Sequence, residues 1–140
     1  LLCRELVPAM KEQEYGRIVN ISSASGKRPV PQRAPYTASK SGLFGLTQTV
    51  AAEGGEYNVN ANAVCPGAVK GPRIQRVIEH QVEATGRPRE EVETERRQQG
   101  LRNELIQPTD VAELVAFLCS TGADRITGQS VNVSAGKIIN

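Results

Sequence analysis

Three short strand-like runs, separated by stretches with helical periodicity, most constrain what this chain can fold into. They lie at 17–22, 59–65 and 129–134, and the first two are rich in Ile, Val, Ala or Cys with few charges. Such runs are typical of strands covered on both faces, and strands that alternate with helices favour parallel pairing through right-handed crossovers. The sequence therefore predicts an α/β fold with three parallel strands.

Helices are predicted between and beside these strands. We expect them at 1–14, 35–55 and 109–120, with a loop that leads from the first strand to residue 34. Thr109 or Asp110 can accept hydrogen bonds from the free N–H groups at the start of the last helix. Gly54 and Gly55 lower helix stability and mark the end of the long middle helix.

Residues 70–105 interrupt the alternation of strands and helices. Gly71-Pro72 can start a helix, which Gly86-Arg87-Pro88 ends before a second helix follows. The first of these helices carries an apolar stripe, formed by Ile74, Val77, Ile78 and Val82. Because charges of both signs surround the stripe, the simplest interpretation of this insert is a solvated helical hairpin.

Tyr36 and Lys40 are candidate catalytic residues because positions i and i+4 share one face of a helix. A nearby ammonium favours the phenolate form of tyrosine and makes the phenol a practical acid or base. Ser23 stands thirteen residues before Tyr36, at the carboxyl end of a predicted strand, where open α/β sheets build their sites. The three groups together predict proton transfer to or from a carbinol oxygen.

Composition excludes several other classes of function. The net charge of +2 is too small to indicate nucleic acid or membrane partners, and no apolar run approaches the ~20 residues that span a bilayer. Cys3, Cys65 and Cys119 form no metal-binding or CxxC pattern, so no metal is expected and a reducing cytoplasm is the simplest setting. We expect Cys65 and Cys119 in the core, and His80, the one histidine, in solvent.

Five segments of the chain form a recognisable set: 16–26, Tyr36-x-x-x-Lys40, 62–67, 107–112 and 126–133. Together they closely resemble the short-chain dehydrogenase/reductase family, in particular its 3-oxoacyl-(acyl-carrier-protein) reductase-like members. The resemblance covers nearly the whole chain outside about 70–105 and corresponds to the carboxyl-terminal half of such an enzyme. It implies one partial domain over 1–140, a Rossmann-like, doubly wound parallel sheet with flanking helices, in which 70–107 is a substrate lid.

The resemblance also implies roles for individual residues. Tyr36 is the general acid/base, Ser23 holds the substrate oxygen, and Lys40 contacts the nicotinamide ribose. The implied cofactor contacts are Tyr36, Lys40, Pro66, Gly67 and Val69. The reaction would transfer a hydride between NAD or NADP and a small carbonyl or alcohol substrate, and the apolar stripe of the lid would line the pocket.

The Gly-rich turn that binds a dinucleotide pyrophosphate does not occur in the sequence. We therefore expect Leu1 to be a cut point, and little nicotinamide binding by these residues alone. The alternative is an inactive remnant that acts through self-association or association with an intact relative. The resemblance implies that helices 1–14 and 35–55 form the contact of a homodimer or homotetramer. A hydrolase that uses Thr37 and Lys40 is a weaker alternative, because no G-x-S-x-G elbow accompanies them.

Overall fold

The secondary structure follows the predicted alternation of helices and strands. The computed structural model describes residues 2–139, so Leu1, the first residue of the first predicted helix, lies outside the described residues. In chain order the elements are α1 (Leu2–Glu12), β1 (Gly16–Ile21), α2 (Ala24–Lys27), α3 (Ala34–Gly54), β2 (Val59–Pro66), α4 (Pro72–Thr85), α5 (Arg89–Arg97), α6 (Pro108–Cys119) and β3 (Ser130–Val133).

The three strands form one parallel sheet in the order β1-β2-β3, which confirms the predicted pairing. Ile18 lies opposite Ala61 in the first pair, and Val64 lies opposite Val131 in the second. Every residue of the central strand β2 is buried. The carboxyl ends of all three strands therefore meet at one edge of a sheet whose middle is inaccessible to water.

Helices cover both faces of the sheet, as expected for a doubly wound fold. On one face, residues of α1 and α3 pack against β1 and β2; this cluster contains Val7, Ile18, Val50, Ala51 and Ala61. On the other face, Leu118 of α6 and Ala123 pack against Val64 of β2. At the start of α6, Asp110 accepts a hydrogen bond of 2.8 Å from the N–H of Gln107, which confirms the predicted helix entry.

Two buried asparagines of β2 hold the loop that leads into β3. The Nδ2 of Asn62 donates to the carbonyl of Ile126 at 2.7 Å, and its Oδ1 accepts from the N–H of Gln129 at 3.0 Å. The Nδ2 of Asn60 donates to the carbonyl of Asp124 at 3.0 Å. Buried polar groups are stable only when paired in this way, so these amides fix where β3 begins.

Arg17 ties the start of β1 to two distant turns. Its side chain is 5% exposed, and its Nη2 lies 2.6 Å from Oδ1 of Asp124. Its Nη1 donates to the carbonyl of Asn58 at 2.8 Å, and its guanidinium lies 4.5 Å from the centre of the Tyr15 ring. A guanidinium can serve several acceptors and one aromatic face at once, so Arg17 joins three segments.

The structure corrects three predictions. The predicted loop before residue 34 contains α2, a single helical turn. Cys119, the last residue of α6, is exposed rather than buried, whereas Cys65 is buried as predicted. The predicted helix ends at 14 and 55 lie at Glu12 and Gly54, the second of which leads into a 3₁₀ turn. His80 is exposed as expected.

Within residues 2–139, strand β1 pairs with β2 alone, so its other edge carries unpaired backbone groups. Ile21, the last residue of β1, is 44% exposed. A free strand edge of this kind favours pairing with further chain, and in isolation it promotes aggregation.

Replacing Asn62 with Leu, which has a similar size, is expected to lower the free energy of unfolding by about 2–4 kcal/mol. The change leaves the carbonyl of Ile126 and the N–H of Gln129 buried without their partners. Urea unfolding measures the effect, with Glu113→Leu on the exposed face of α6 as a control expected to stay within about 0.5 kcal/mol. A loss below about 1 kcal/mol for Asn62→Leu would contradict this role.

Candidate active site

A cleft of about 420 Å³ opens at the carboxyl ends of β1 and β2. The end of β1, the start of α3, the segment after β2 and the start of α4 form its walls. All the site residues predicted from the sequence line this one cleft: Ser23, Tyr36, Lys40, Pro66, Gly67 and Val69. Thr37, on which the hydrolase alternative depends, is not among the residues that line it.

Ser23 is the N-terminal cap of α2 and a residue of the cleft wall at the same time. Its Oγ accepts a hydrogen bond of 3.1 Å from the N–H of Ser25, which leaves its own O–H proton available for a group in the cleft. The capping hydrogen bond of Ser23 and its predicted site role are therefore compatible.

Ser22 and Gly26 fix this segment against α3. The Oγ of Ser22 donates to the carbonyl of Lys40 at 2.8 Å, and the Oγ of Ser41 donates to the carbonyl of Gly26 at 2.8 Å. A Cβ at Gly26 would lie 3.0 Å from the Phe44 ring and 3.1 Å from the backbone of Lys40. Glycine therefore allows α2 to approach α3 closely, which places Ser23 in the same cleft as Tyr36.

Tyr36 and Lys40 share one face of α3, as their spacing predicts. The Nζ of Lys40 lies 6.0 Å from the centre of the Tyr36 ring, and it donates to the carbonyl of Ile21 at 2.9 Å. The guanidinium of Arg73, in the first turn of α4, lies 5.3 Å from the same ring. Two cations thus face one phenol, and sequence analysis missed Arg73 because nothing in the local pattern separates it from a solvated helix charge.

Val69 presents unused backbone groups beside the cleft. It forms an isolated parallel bridge with Ile106, in which Ile106 donates to the carbonyl of Ala68 at 2.9 Å and accepts from Lys70 at 2.8 Å. In a parallel bridge of this pattern the N–H and C=O of the central residue point away from the partner strand. The donor and acceptor of Val69 therefore face away from Ile106.

Gly67 has an explanation within the fold itself. A Cβ at this position would lie 3.2 Å from the Cα of Ser134, and the N–H of Gly67 donates to the carbonyl of Val133 at 2.9 Å. The absence of a side chain thus lets the end of β2 lie against the end of β3. Gly67 also lines the cleft, so its two roles are compatible.

The predicted helical hairpin is present as α4 and α5, but its apolar stripe is divided between two surfaces. Ile74 and Val77 line the cleft. Ile78 is 1% exposed, and it packs in one cluster with Ile74 and with Val92 of α5. Only the first part of the stripe therefore contributes to the pocket, while the rest joins the two helices.

The cleft is strongly cationic. Besides Lys40, its lining contains Arg33, Lys70, Arg73, Arg96 and Lys137, and none of the described residues that line it is acidic. Burial lowers the pKa of Arg96 and of Lys137, and neighbouring cations lower both further. Sequence analysis assigned no role to these residues, because they come from separate parts of the chain and only the fold brings them together.

Other chemistry is not indicated in residues 2–139. No group of three His, Cys, Asp or Glu side chains there could hold a metal ion. Burial raises the pKa of the Cys65 thiol, as expected for a core cysteine. None of the helices in this part of the chain is both long and apolar enough to cross a bilayer.

Comparison with known proteins places this arrangement in a family. The profile of the family described as enoyl-(acyl carrier protein) reductase matches residues 1–137. The chain is 37% identical to a 3-oxoacyl-[acyl-carrier-protein] reductase of Rickettsia felis over 139 residues, which cover 99% of this chain and 53% of the relative. The chain belongs to the short-chain dehydrogenase/reductase family.

Solved structures of reductases support this membership of the short-chain dehydrogenase/reductase family. A variant of actinorhodin polyketide ketoreductase with NADPH is 39% identical and superposes with a TM-score of 0.87, over 92% of this chain and 49% of that one. A 3-oxoacyl-[acyl-carrier protein] reductase with bound NAD from Brucella melitensis is 34% identical and superposes with a TM-score of 0.78, over 96% of this chain and 45% of that one. The chain spans about half the length of the curated relatives that it matches.

Gly26→Ala is expected to lower the free energy of unfolding by about 1–3 kcal/mol, because the new Cβ overpacks the contact between α2 and α3. Gly55→Ala is the matched control. Nothing lies within 4 Å of a Cβ at Gly55 and its φ is −58°, so this change should stabilise the protein by about 0.4–1 kcal/mol. Thermal or urea unfolding measures the change in the free energy of unfolding, which should be negative for Gly26→Ala and positive for Gly55→Ala. Equal effects of both changes would contradict the proposed close contact.

Proposed function

We propose that this chain forms the catalytic and substrate-binding half of an NAD(P)-dependent oxidoreductase that interconverts a carbonyl compound and an alcohol. The observation that carries the proposal is the convergence of Ser23, Tyr36 and Lys40 on one cleft at the carboxyl end of a parallel sheet. Open α/β sheets bind their ligands at that end. The whole protein's activity and its small-molecule substrate are part of the same proposal.

In this proposal the three side chains divide the proton chemistry. The hydroxyl of Ser23, whose lone pair is engaged by Ser25, donates to the substrate oxygen and stabilises its developing charge. The phenol of Tyr36 gives that oxygen a proton during reduction and takes it back during oxidation. The ammonium of Lys40, which lies 6.0 Å from the centre of the Tyr36 ring, stabilises the negative charge that develops as the proton is transferred.

The cleft fits a nicotinamide cofactor at Val69. A carboxamide offers one donor and one acceptor, and the N–H and C=O of Val69, turned away from Ile106, match that pair. Pro66 and Gly67 form the adjoining wall, and we propose that Tyr36 and Lys40 complete the cofactor contacts. When bound, NADH or NADPH would supply the hydride for carbonyl reduction, and NAD or NADP would accept it in alcohol oxidation.

We propose that a Gly-rich cofactor-binding half lies outside these 140 residues. A β-strand of that half would pair with the free edge of β1, where the carbonyl of Ile21 meets Lys40. The three cysteines within residues 2–139 are unpaired, which supports a cytoplasmic location for the protein.

The domain organisation is a proposal of the same kind. Residues 1–140 would form one partial Rossmann-like domain, and residues 70–107 a lid upon it. The bridge between Val69 and Ile106 closes the base of this insert, so α4 and α5 can move as one unit. Ile74 and Val77, on the side of the cleft, would cover the apolar part of the substrate.

We further propose that α1 and α3 pack against a second copy in a homodimer or homotetramer. Gly42 and Gly45 lie in the middle of α3, where glycine lowers helix stability, and nothing lies within 4 Å of a Cβ at either position. Leu6 and Leu46 of the two helices are 49% and 42% exposed. An apolar face with small residues suits close helix packing.

The competing function is that of an inactive remnant that acts through the same face.

Tyr36→Phe in the longest product of the reading frame that contains this chain is expected to lower kcat/KM by about 10²–10⁴-fold. The change removes the hydroxyl that exchanges the proton and keeps the aromatic ring, so kcat should fall most, while nicotinamide affinity, measured by fluorescence, reports the smaller loss of the proposed cofactor contact. Tyr57→Phe, at an exposed tyrosine outside the cleft, is the matched control and should retain activity. Full activity of Tyr36→Phe on every carbonyl substrate would refute the proposed role.

Gly45→Arg is expected to convert the oligomer to a monomer, because the long charged side chain would enter the proposed contact between α3 helices. Light scattering after gel filtration reports the mass. Ala84→Arg, on the exposed side of α4, is the control and should leave the mass unchanged. An unchanged mass for Gly45→Arg would place any oligomer contact elsewhere on the protein.

A further inference from the structure

Three cations from separate elements converge on the cleft. Arg33 precedes α3, Arg96 lies in the last turn of α5, and Lys137 follows β3. All three line the cleft that contains Ser23 and Tyr36. These residues are not neighbours in the sequence, because at least forty residues lie between each and the next. The fold therefore brings three positive charges to the place where the proposed substrate would bind.

Their hydrogen-bond partners are neutral. The Nη2 of Arg96 donates to Oε1 of Gln81, while its Nε is buried without a hydrogen-bond partner among the described residues. The Nζ of Lys137 donates to Oε1 of Gln99. Amide oxygens satisfy the geometry of these donors, but they do not neutralise the charges. Part of the donor capacity of Arg96 therefore remains free.

Some other arginines of the same hairpin do form ion pairs with carboxylates. Arg87 pairs with Glu91 and Glu95 at 2.9 and 2.8 Å, and Arg89 pairs with Glu93 at 2.9 Å. Among residues 2–139, by contrast, none of Arg33, Arg96 and Lys137 forms an ion pair with a carboxylate. The carboxylates of the hairpin thus pair with other arginines, and the charge of Glu95 offsets that of Arg96 only in part.

Arg33, Arg96 and Lys137 also repel one another in the partly desolvated cleft. Burial lowers the pKa of Arg96, and Arg33 lowers it further, while Glu95 acts in the opposite direction. Burial likewise lowers the pKa of Lys137, followed by the charges of Arg96, Arg28 and Arg33. Grouped, half-buried charges of one sign are unfavourable unless an opposite charge joins them.

We propose that Arg33, Arg96 and Lys137 form a subsite for an anionic group of the substrate, a carboxylate or a phosphate. This inference rests on the proposed function: the anion would occupy the subsite while the substrate's carbonyl oxygen meets Ser23 and Tyr36. A guanidinium with free N–H groups binds both anions through two parallel hydrogen bonds, and Lys137 adds a compact charge.

The subsite also links substrate binding to the hairpin of α4 and α5. Arg96 belongs to α5 and bonds Gln81 of α4, whereas Arg33 and Lys137 belong to parts of the chain outside the hairpin. An anion held among the three would therefore join the hairpin to the rest of the cleft. Substrates that carry the charge should be selected over neutral ones of the same skeleton.

The experiment measures that selectivity in the longest product of the reading frame. Two matched pairs serve as probes: 3-oxobutanoate with its methyl ester, and dihydroxyacetone phosphate with dihydroxyacetone. The ratio of kcat/KM for the charged over the neutral member is determined for each pair, and the pair with the larger ratio identifies carboxylate or phosphate. Binding of inorganic phosphate and of acetate, measured by calorimetry, gives a readout that needs no turnover.

Arg96→Gln and Lys137→Gln, on different elements, are each expected to lower this ratio by about 10- to 100-fold, mainly through KM. Arg96→Lys should keep part of the ratio that Arg96→Gln loses, because lysine retains the positive charge but lacks the planar guanidinium group. Arg97→Gln is the matched control, since Arg97 neighbours Arg96 but is exposed and lies 3.5 Å from Glu93. It should leave the ratio unchanged.

The contrary outcomes are distinct. An unchanged ratio in both glutamine variants, or a wild-type enzyme without preference for either charged substrate, would overturn the subsite. A rise of the NADPH or NADH dissociation constant in Arg96→Gln, with the substrate ratio unaltered, would assign the cations to the cofactor and also overturn it. If the wild type reduces no carbonyl compound, the proposed function fails, and calorimetry alone then tests the subsite. Phosphate or acetate binding that Arg96→Gln abolishes would support the subsite, whereas no anion binding by the wild type would overturn it.

Discussion

The site depends on how the carboxyl end of β1 is attached to its surroundings. Two hydrogen bonds of Ser22 make this attachment. Its N–H donates to the carbonyl of Val64 in β2 at 2.8 Å, and its Oγ donates to the carbonyl of Lys40 in α3 at 2.8 Å. One bond belongs to the sheet and the other to the helix that covers it. Together they fix Ser23, the next residue, relative to the helix face that carries Tyr36 and Lys40. The geometry of the candidate site is thus a consequence of strand pairing and helix packing.

Much of this arrangement could be predicted because its signals are local. The apolar runs predict the strands, and the i, i+4 spacing predicts that Tyr36 and Lys40 share a face. The turn α2 was not predicted, since it is too short for any periodicity and depends on the contact of Gly26 with α3. Cys119 was placed wrongly because an apolar neighbourhood in sequence does not show which way the last residue of a helix points.

The cationic lining of the cleft could not be predicted from the sequence. Arg33, Arg96 and Lys137 each look like an ordinary surface charge in their own segment, and nothing in their spacing connects them. Only the crossover topology brings them to one cleft. The same holds for Asn62, whose amide holds the loop before β3 from 64 residues away. Residues that act through long-range contacts become visible only when the fold is known.

The central claim is that these residues carry the proton chemistry of a short-chain dehydrogenase/reductase, whereas the cofactor pyrophosphate is held by chain outside them. Titration of NADH and NADPH by fluorescence tests it most directly, on the 140-residue chain and on the longest product of its reading frame. The account predicts binding by the longer protein and little or none by the 140 residues alone. Micromolar binding by the shorter chain, or none by the longer one, would contradict it.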